Sequence, residues 1–189
     1  MQLELFYDVA SPYSYLASTQ VEAIAGDVGA SVRWRPFLLG AVFQAVGSTT
    51  PASVPARRSY LFTDLQRWAD YYGVPFAISP FFLTSSLRPM RVLAGAPEAQ
   101  VPELTHRLFH ALWVDGLDLR EPAVLVDVVG AEAAAWAEDD AAKAALRATT
   151  DEAIARGAFG APTFFVGEAM YFGNDRLPFV EQALRRARG

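Results

Sequence analysis

The 189 residues carry 52% hydrophobic and 13% aromatic side chains against 20% charged ones, enough apolar surface for one well-buried domain, with or without a large insertion, and too little polarity for a disordered chain. A formal charge of −5, with basic residues scattered apart from Arg185, Arg186 and Arg188, gives no electrostatic footprint for nucleic acid. The absence of cysteine excludes a disulfide scaffold, a thiolate zinc site, a cysteine nucleophile and disulfide exchange by the protein itself.

Glu4 and Asp8 near a start that lacks basic residues do not fit a secretory signal, and no apolar run approaches the roughly 20 residues that span a bilayer. A cytoplasmic protein without a membrane partner is expected. Leu3, Leu5, Tyr7 and Val9 alternate with Glu4, Phe6 and Asp8, a period of two with bulky residues on both faces that predicts a covered strand over 2–9. Ser11 then offers an N-cap oxygen and Pro12 a first helical position, so a helix is expected from Pro12 to about Ala25, ended by Gly26 and Gly29. The run SVRWRPF, 31–37, reads as a second strand whose pairing stops near Pro36. The strand, helix, strand order favours parallel pairing in one sheet.

From Leu38 to about Thr150 helical patterns replace strand patterns. Tyr60, Leu61, Leu65, Trp68 and Tyr72 recur at helical spacing within 57–72, Leu104, Leu108 and Leu112 within 98–113, and 139–156 is alanine-rich. These segments describe an all-helical block set into an α/β frame, preceded by the turn-rich stretch GSTTPASVP, 47–55, a candidate substrate-facing loop. The frame resumes with short apolar runs at 163–166 and 170–172 around Gly167 and Glu168, a predicted antiparallel hairpin. Asn174 or Asp175 is expected to cap a last helix over 177–188.

Few residues in this outline carry chemistry. Ser11 stands at the carboxyl end of a strand and the amino end of a helix, where free N–H groups and the helix dipole favour an anion. It is either a cap and no more, or a hydroxyl that donates to a thiolate brought in from outside. His106 and His110 share a helix face, but no glutamate stands between them as in H-E-x-x-H and no third ligand is suggested, so they read as ordinary histidines and no metal is expected. Neither marks a base for Ser11, and the G-x-S-x-G elbow is absent. The glycines of GAFGAP match neither a P-loop nor a dinucleotide fingerprint. Phe81 and Phe82, beside prolines and serines, are candidate walls of an aromatic substrate pocket, core packing being the alternative for at least one of them.

Taken in order, FYDVASPYSYLAS, RWRPFLLGAVFQAVG, PARRSYLFTDLQRWADYYGVPF and GAFGAPTFFVGEAMYFGNDRL resemble the 2-hydroxychromene-2-carboxylate isomerases, grouped with the kappa-class glutathione transferases and the DsbA-like thioredoxin folds. The resemblance covers nearly the whole chain. It implies an α/β thioredoxin-like domain, 1–39 and 151–189, interrupted by a helical insertion domain, 40–150, with glutathione bound between them and its sulfur beside Ser11, where thioredoxin-like folds often hold a redox cysteine. The family's cis proline falls on Pro162, so that the backbone of Ala161 would pair with the tripeptide as an added strand. Its acidic pair falls on Asn174 and Asp175, suited to the γ-glutamyl ammonium and carboxylate. Ser48 and Arg57 stand where relatives often place an asparagine and a lysine, and Ala161 where they have a larger aliphatic residue; Arg57 can still meet a carboxylate, with other geometry. The implied activity is glutathione-dependent cis–trans isomerisation of an aromatic degradation intermediate by reversible thiolate addition, bond rotation and elimination, in a possible homodimer. Two other readings make different expectations: a kappa-like transferase would consume one thiol per turnover, and a non-catalytic thioredoxin-like binding domain would show no thiol affinity.

Overall fold

Four short strands carry the frame, and their order follows from which faces of each the sequence makes apolar. In the computed structural model, which describes residues 1–188, the elements run β1 (Gln2–Tyr7), α1 (Pro12–Asp27), β2 (Ser31–Pro36), α2 (Leu39–Ala45), α3 (Pro55–Tyr72), α4 (Leu87–Gly95), α5 (Val101–Trp113), α6 (Pro122–Val129), α7 (Ala131–Ala135), α8 (Asp140–Ala155), β3 (Thr163–Val166), β4 (Ala169–Phe172) and α9 (Leu177–Arg188). The sheet order is β2-β1-β3-β4. β1 pairs parallel with β2 and antiparallel with β3, which pairs antiparallel with β4 across the two-residue turn Gly167–Glu168.

Alternation along β1 divides the core. Leu3, Leu5 and Tyr7 join a continuous apolar cluster with Leu16 and Val21 of α1 and Leu108 and Phe109 of α5. Phe6 faces the opposite side, where it meets Phe37, Val42, Ala153 and Phe165. The inserted helices therefore share one core with the sheet, and the expected domain junctions fall beside or within packed helices, α2 at the first and α8 at the second. Glu4, on the Phe6 face, gathers Arg33, Arg35 and Arg156 at 3.7, 3.8 and 2.8 Å.

Several boundaries differ from the sequence expectation for identifiable reasons. α1 runs through Gly26 and stops at Asp27, with the left-handed turn falling on Gly29, φ +67°. One glycine inside a helix costs about 1 kcal/mol and is outweighed by the buried face. Residues 98–100 form a 3₁₀ turn ahead of α5, and Asp139 caps α8 by accepting from Ala141 N at 2.9 Å. Neither Asn174 nor Asp175 caps α9: both belong to a 3₁₀ turn, 174–176, that leads into it, and the Asp175 carboxylate is engaged by Arg176. α2 and α4 have no side-chain cap, which is why their starts carried no local signal.

Candidate active site

Two long-range hydrogen bonds fix the end of β1. Val9 O accepts from Trp113 Nε1 at 2.8 Å, and Val9 N–H meets Met90 Sδ at 3.3 Å. The next turn of chain is therefore held between α4 and α5 before α1 begins. Ser11 Oγ accepts from Ser14 N at 3.1 Å and so caps α1, and the same hydroxyl donates to Ala161 O at 3.0 Å. The peptide bond between Ala161 and Pro162 is cis. Ser11 is only 4% exposed, yet it opens onto a cleft of about 1130 Å³. That is more than one drug-sized ligand fills, and enough for a cofactor and a substrate side by side.

Ser11, Ser48, Phe82, Ala161, Asn174 and Asp175 all line this cleft, as do Thr49 to Pro51 of the turn-rich loop. Three residues singled out in the sequence do not. Arg57 sits on the exposed first turn of α3, outside the lining. Phe81 turns away toward Arg120, whose guanidinium is 5.9 Å from its ring centroid. Pro162 is buried behind Ala161. Phe82 packs edge-on against Phe62 and Trp113 at 5.8 and 5.9 Å while it lines the cleft, so it serves both the core and the wall. His106 and His110 each meet a separate carboxylate, Glu22 at 3.2 Å and Asp115 at 2.9 Å.

The cleft also holds residues the sequence reading passed over. Tyr60, Asp64 and Trp68 recur every fourth position on α3 and line one side of it. The helical stripe that revealed Tyr60 and Trp68 could have pointed to Asp64 between them. Tyr13 OH donates to Asp64 Oδ2 at 2.7 Å, and burial together with this carboxylate pushes the phenol well above its ordinary pKa. Asp8 lies at the floor with no exposed surface. Its Oδ1 accepts from Ala10 N at 2.9 Å, and its Oδ2 from Leu39 N at 2.8 Å and Ser86 Oγ at 3.0 Å. Burial raises its pKa, and these three hydrogen bonds oppose the rise. A carboxylate directly after the buried run Leu5, Phe6 and Tyr7 was the available signal, since such groups are seldom fully buried without partners.

Asn174 supplies a different kind of clue. It is 3% exposed, lines the cleft, and its Nδ2 has no hydrogen-bond partner. A buried amide donor left open in this way is suited to an oxygen-bearing ligand. With the Asp64 and Asp175 carboxylates nearby, the donor and acceptor set fits an amino acid head group, as in the γ-glutamyl end of glutathione.

A family model for the DsbA-like thioredoxin domain matches residues 2–185. The chain is 33% identical over 194 residues to a 2-hydroxychromene-2-carboxylate isomerase of Pseudomonas putida, covering 98% of this chain and 95% of the relative. It is 26% identical to a glutathione S-transferase kappa 1 of Caenorhabditis elegans, covering 98% and 91%. A solved structure of a 2-hydroxychromene-2-carboxylate isomerase superposes with a TM-score of 0.88 at 31% identity, covering 99% and 96% of the two chains. The chain belongs to the DsbA-like thioredoxin family, in the group that holds the 2-hydroxychromene-2-carboxylate isomerases and the kappa-class glutathione transferases. These relatives support an enzyme, and an isomerase among the enzymes of that group.

Proposed function

We propose that the protein is a glutathione-dependent cis–trans isomerase of 2-hydroxychromene-2-carboxylate-type compounds. The observation that carries this reading is the Ser11 hydroxyl: its oxygen is fixed by the cap to Ser14 N and its proton rests on Ala161 O, at the rim of a cleft large enough for two ligands. When bound, the thiol supplies a nucleophile that adds reversibly to a conjugated carbon, turns the double bond into a single bond that can rotate, and is released unchanged.

The chain's own residues hold and orient. The Ala161 carbonyl and the Ser11 hydroxyl form one wall beside the sulfur position; the hydroxyl keeps its oxygen in place through the cap and turns its proton from Ala161 O toward a sulfur anion, favouring the ionised thiol together with the amino end of α1. The Asn174 amide and the Asp64 and Asp175 carboxylates hold the amino acid head group, and Ser48 lies across the cleft on the loop before α3. Leu38, Phe43 and Phe82 give the aromatic substrate an apolar wall and keep water from the reacting carbon. The names of the isomerase relatives support the reaction, and those of the kappa transferases support the thiol.

The test is spectrophotometric conversion of 2-hydroxychromene-2-carboxylate by the purified protein with and without glutathione, counting free thiol before and after. Conversion that requires the thiol and leaves its concentration unchanged is expected. Stoichiometric loss of thiol would make the protein a transferase, and conversion indifferent to glutathione would remove the cofactor from the reading.

A further inference from the structure

Phe81, Phe82, Leu83 and Thr84 form a turn shortly before α4. Thr84 N and Thr84 Oγ1 both donate to Phe81 O, at 3.1 and 2.7 Å. Phe82 N donates to Ser79 O at 3.0 Å, and Phe81 N to the oxygen of the buried Ser79 side chain at 3.1 Å. Beyond the turn, Ser86 Oγ donates to Asp8 Oδ2 at 3.0 Å and ties the chain down again. Within this frame Leu83 has φ +70°, alone among the described residues other than glycine in taking a positive φ. Glycine adopts that conformation freely and asparagine tolerates it, but it is unfavourable for a leucine. It persists because the bonds on either side hold it.

Core packing does not offset this strain. Phe81, Phe82 and Leu87 pack against the main apolar cluster, whereas Leu83 belongs to neither cluster and is 48% exposed. Its side chain lines the cleft. Among the described residues, the other large apolar side chains that line the cleft while exposed are Tyr60, Phe159 and Phe172. Phe159 and Phe172 pack against each other, and Tyr60 is close enough to act on the Tyr13 phenol, at the end read above as the head-group site. Leu83 directly follows Phe82, which is part of the wall given to the aromatic substrate.

We infer that Leu83 is a specificity-determining residue: its side chain covers the aromatic ring of the bound acid and sets how large a ring system the cleft takes. The inference rests on the isomerase reading above and adds to it the residue that reads the ring. Glycine would fit this turn with less strain but would leave that face of the ring in water. Leucine covers it, which removes apolar surface of both partners from solvent. Because hydrogen bonds hold the backbone of the turn, a second fused ring would have to displace the leucine side chain itself.

Binding and stability together test this without any turnover. Two unreactive ligands, saturated so that no double bond can take up the thiol, are titrated by calorimetry into the full chain with glutathione present: a hydroxyphenyl oxobutanoate and its hydroxynaphthyl counterpart. In Leu83→Gly the phenyl ligand should bind about five- to tenfold more weakly, the scale of losing contact with one leucine side chain. The naphthyl ligand gains room and should lose less, so the phenyl-to-naphthyl affinity ratio should fall at least about threefold. Affinity for glutathione alone should not change, and the urea midpoint should hold or rise as the turn is relieved. Leu83→Asn, which tolerates the same backbone, should act in the same direction and decides the matter should the glycine variant fail to fold. Unchanged affinity for the phenyl ligand, an equal loss for both ligands, or failure of the wild type to bind either would each overturn the inference. So would a joint loss of stability and of glutathione affinity in both variants, the pattern of a leucine that only supports the fold. The corresponding unsaturated compounds are assayed in parallel. A ring preference that depends on Leu83, without isomerisation of either compound, would overturn the isomerase reading and leave the role of Leu83 at an aryl site standing.

Discussion

Removing the hydroxyl of Ser11 takes away two hydrogen bonds at once, one that caps α1 and one to Ala161 O, and the two losses are separable by measurement. Ser11→Ala should lower stability by about 1 kcal/mol, the usual worth of such a cap. It should also raise the pKa of bound glutathione, read from the ultraviolet absorbance of the thiolate, while Ser11→Thr restores both. A pure cap would show the first effect without the second. Asp8 makes a prediction of opposite character. Burial lifts its carboxyl above the ordinary value of 3.8, so the folded chain binds the proton more tightly than the unfolded chain. Unfolding free energy therefore falls as pH rises from about 4 through the raised value. Asp118, Glu138 and Asp140 are shifted down and contribute the reverse slope, so the comparison is between wild type and Asp8→Asn. The variant should lose about 1–3 kcal/mol where its amide faces Leu39 N–H, and its deficit, measured by urea unfolding, should shrink as pH rises. A deficit that does not vary with pH would mean that Asp8 titrates alike in both states.

Close packing between elements gives two glycines contrasting roles. At Gly95, on α4, an added Cβ would stand 2.8 Å from Ala142 Cβ and 2.9 Å from Trp136 Cβ, neither of which can swing aside. Gly95→Ala should destabilise by about 1–3 kcal/mol through this overpacking and change ligand affinity little. At Gly160 the obstacle is the Phe172 ring at 2.6 Å, the free end of a half-exposed side chain that packs at a tilt against Phe159, ring centroids 4.4 Å apart. Gly160→Ala should displace that ring into the cleft, raising KM with a small change in melting temperature, and Phe172→Ala should rescue it. This contrast also marks what was legible in the sequence. Period-two and helical spacings located β1, β2, the hairpin, α3, α5 and α8, because each buries a regular stripe. They missed α2 and α4, which are short and uncapped, and they missed Asp8 and Asp64, whose importance comes from partners 31 and 51 positions away. Ser11, Ala161 and Asn174, which line the cleft, were legible as candidates because a strand-to-helix junction and a family motif are both local. Phe81 was misplaced because two adjacent side chains point different ways, and only the surrounding helices decide which one meets the cleft.

Sheet and helices share one apolar core, in which Leu3, Leu5 and Tyr7 join Leu104, Leu108 and Phe109. A single unfolding transition, coincident by far-ultraviolet and tryptophan signals, is expected. A fragment spanning 40–150 alone should lack cooperative unfolding, because its inner faces would lose the sheet they cover. Two separable transitions would instead indicate independent domains. No helix among the described residues is long and apolar enough to cross a membrane. One consequence of the Ser11 junction belongs to this scale. A thioredoxin-like frame with a hydroxyl at that position and no sulfhydryl elsewhere has nothing for an alkylating agent or a disulfide-forming oxidant to modify at its centre. Iodoacetamide or diamide should therefore halt turnover only by consuming the soluble thiol, and fresh glutathione should return the whole rate. On the proposed reading the vulnerable atom would be carried by a solute that can be replaced, so the folded chain would outlast the oxidation of the nucleophile it uses.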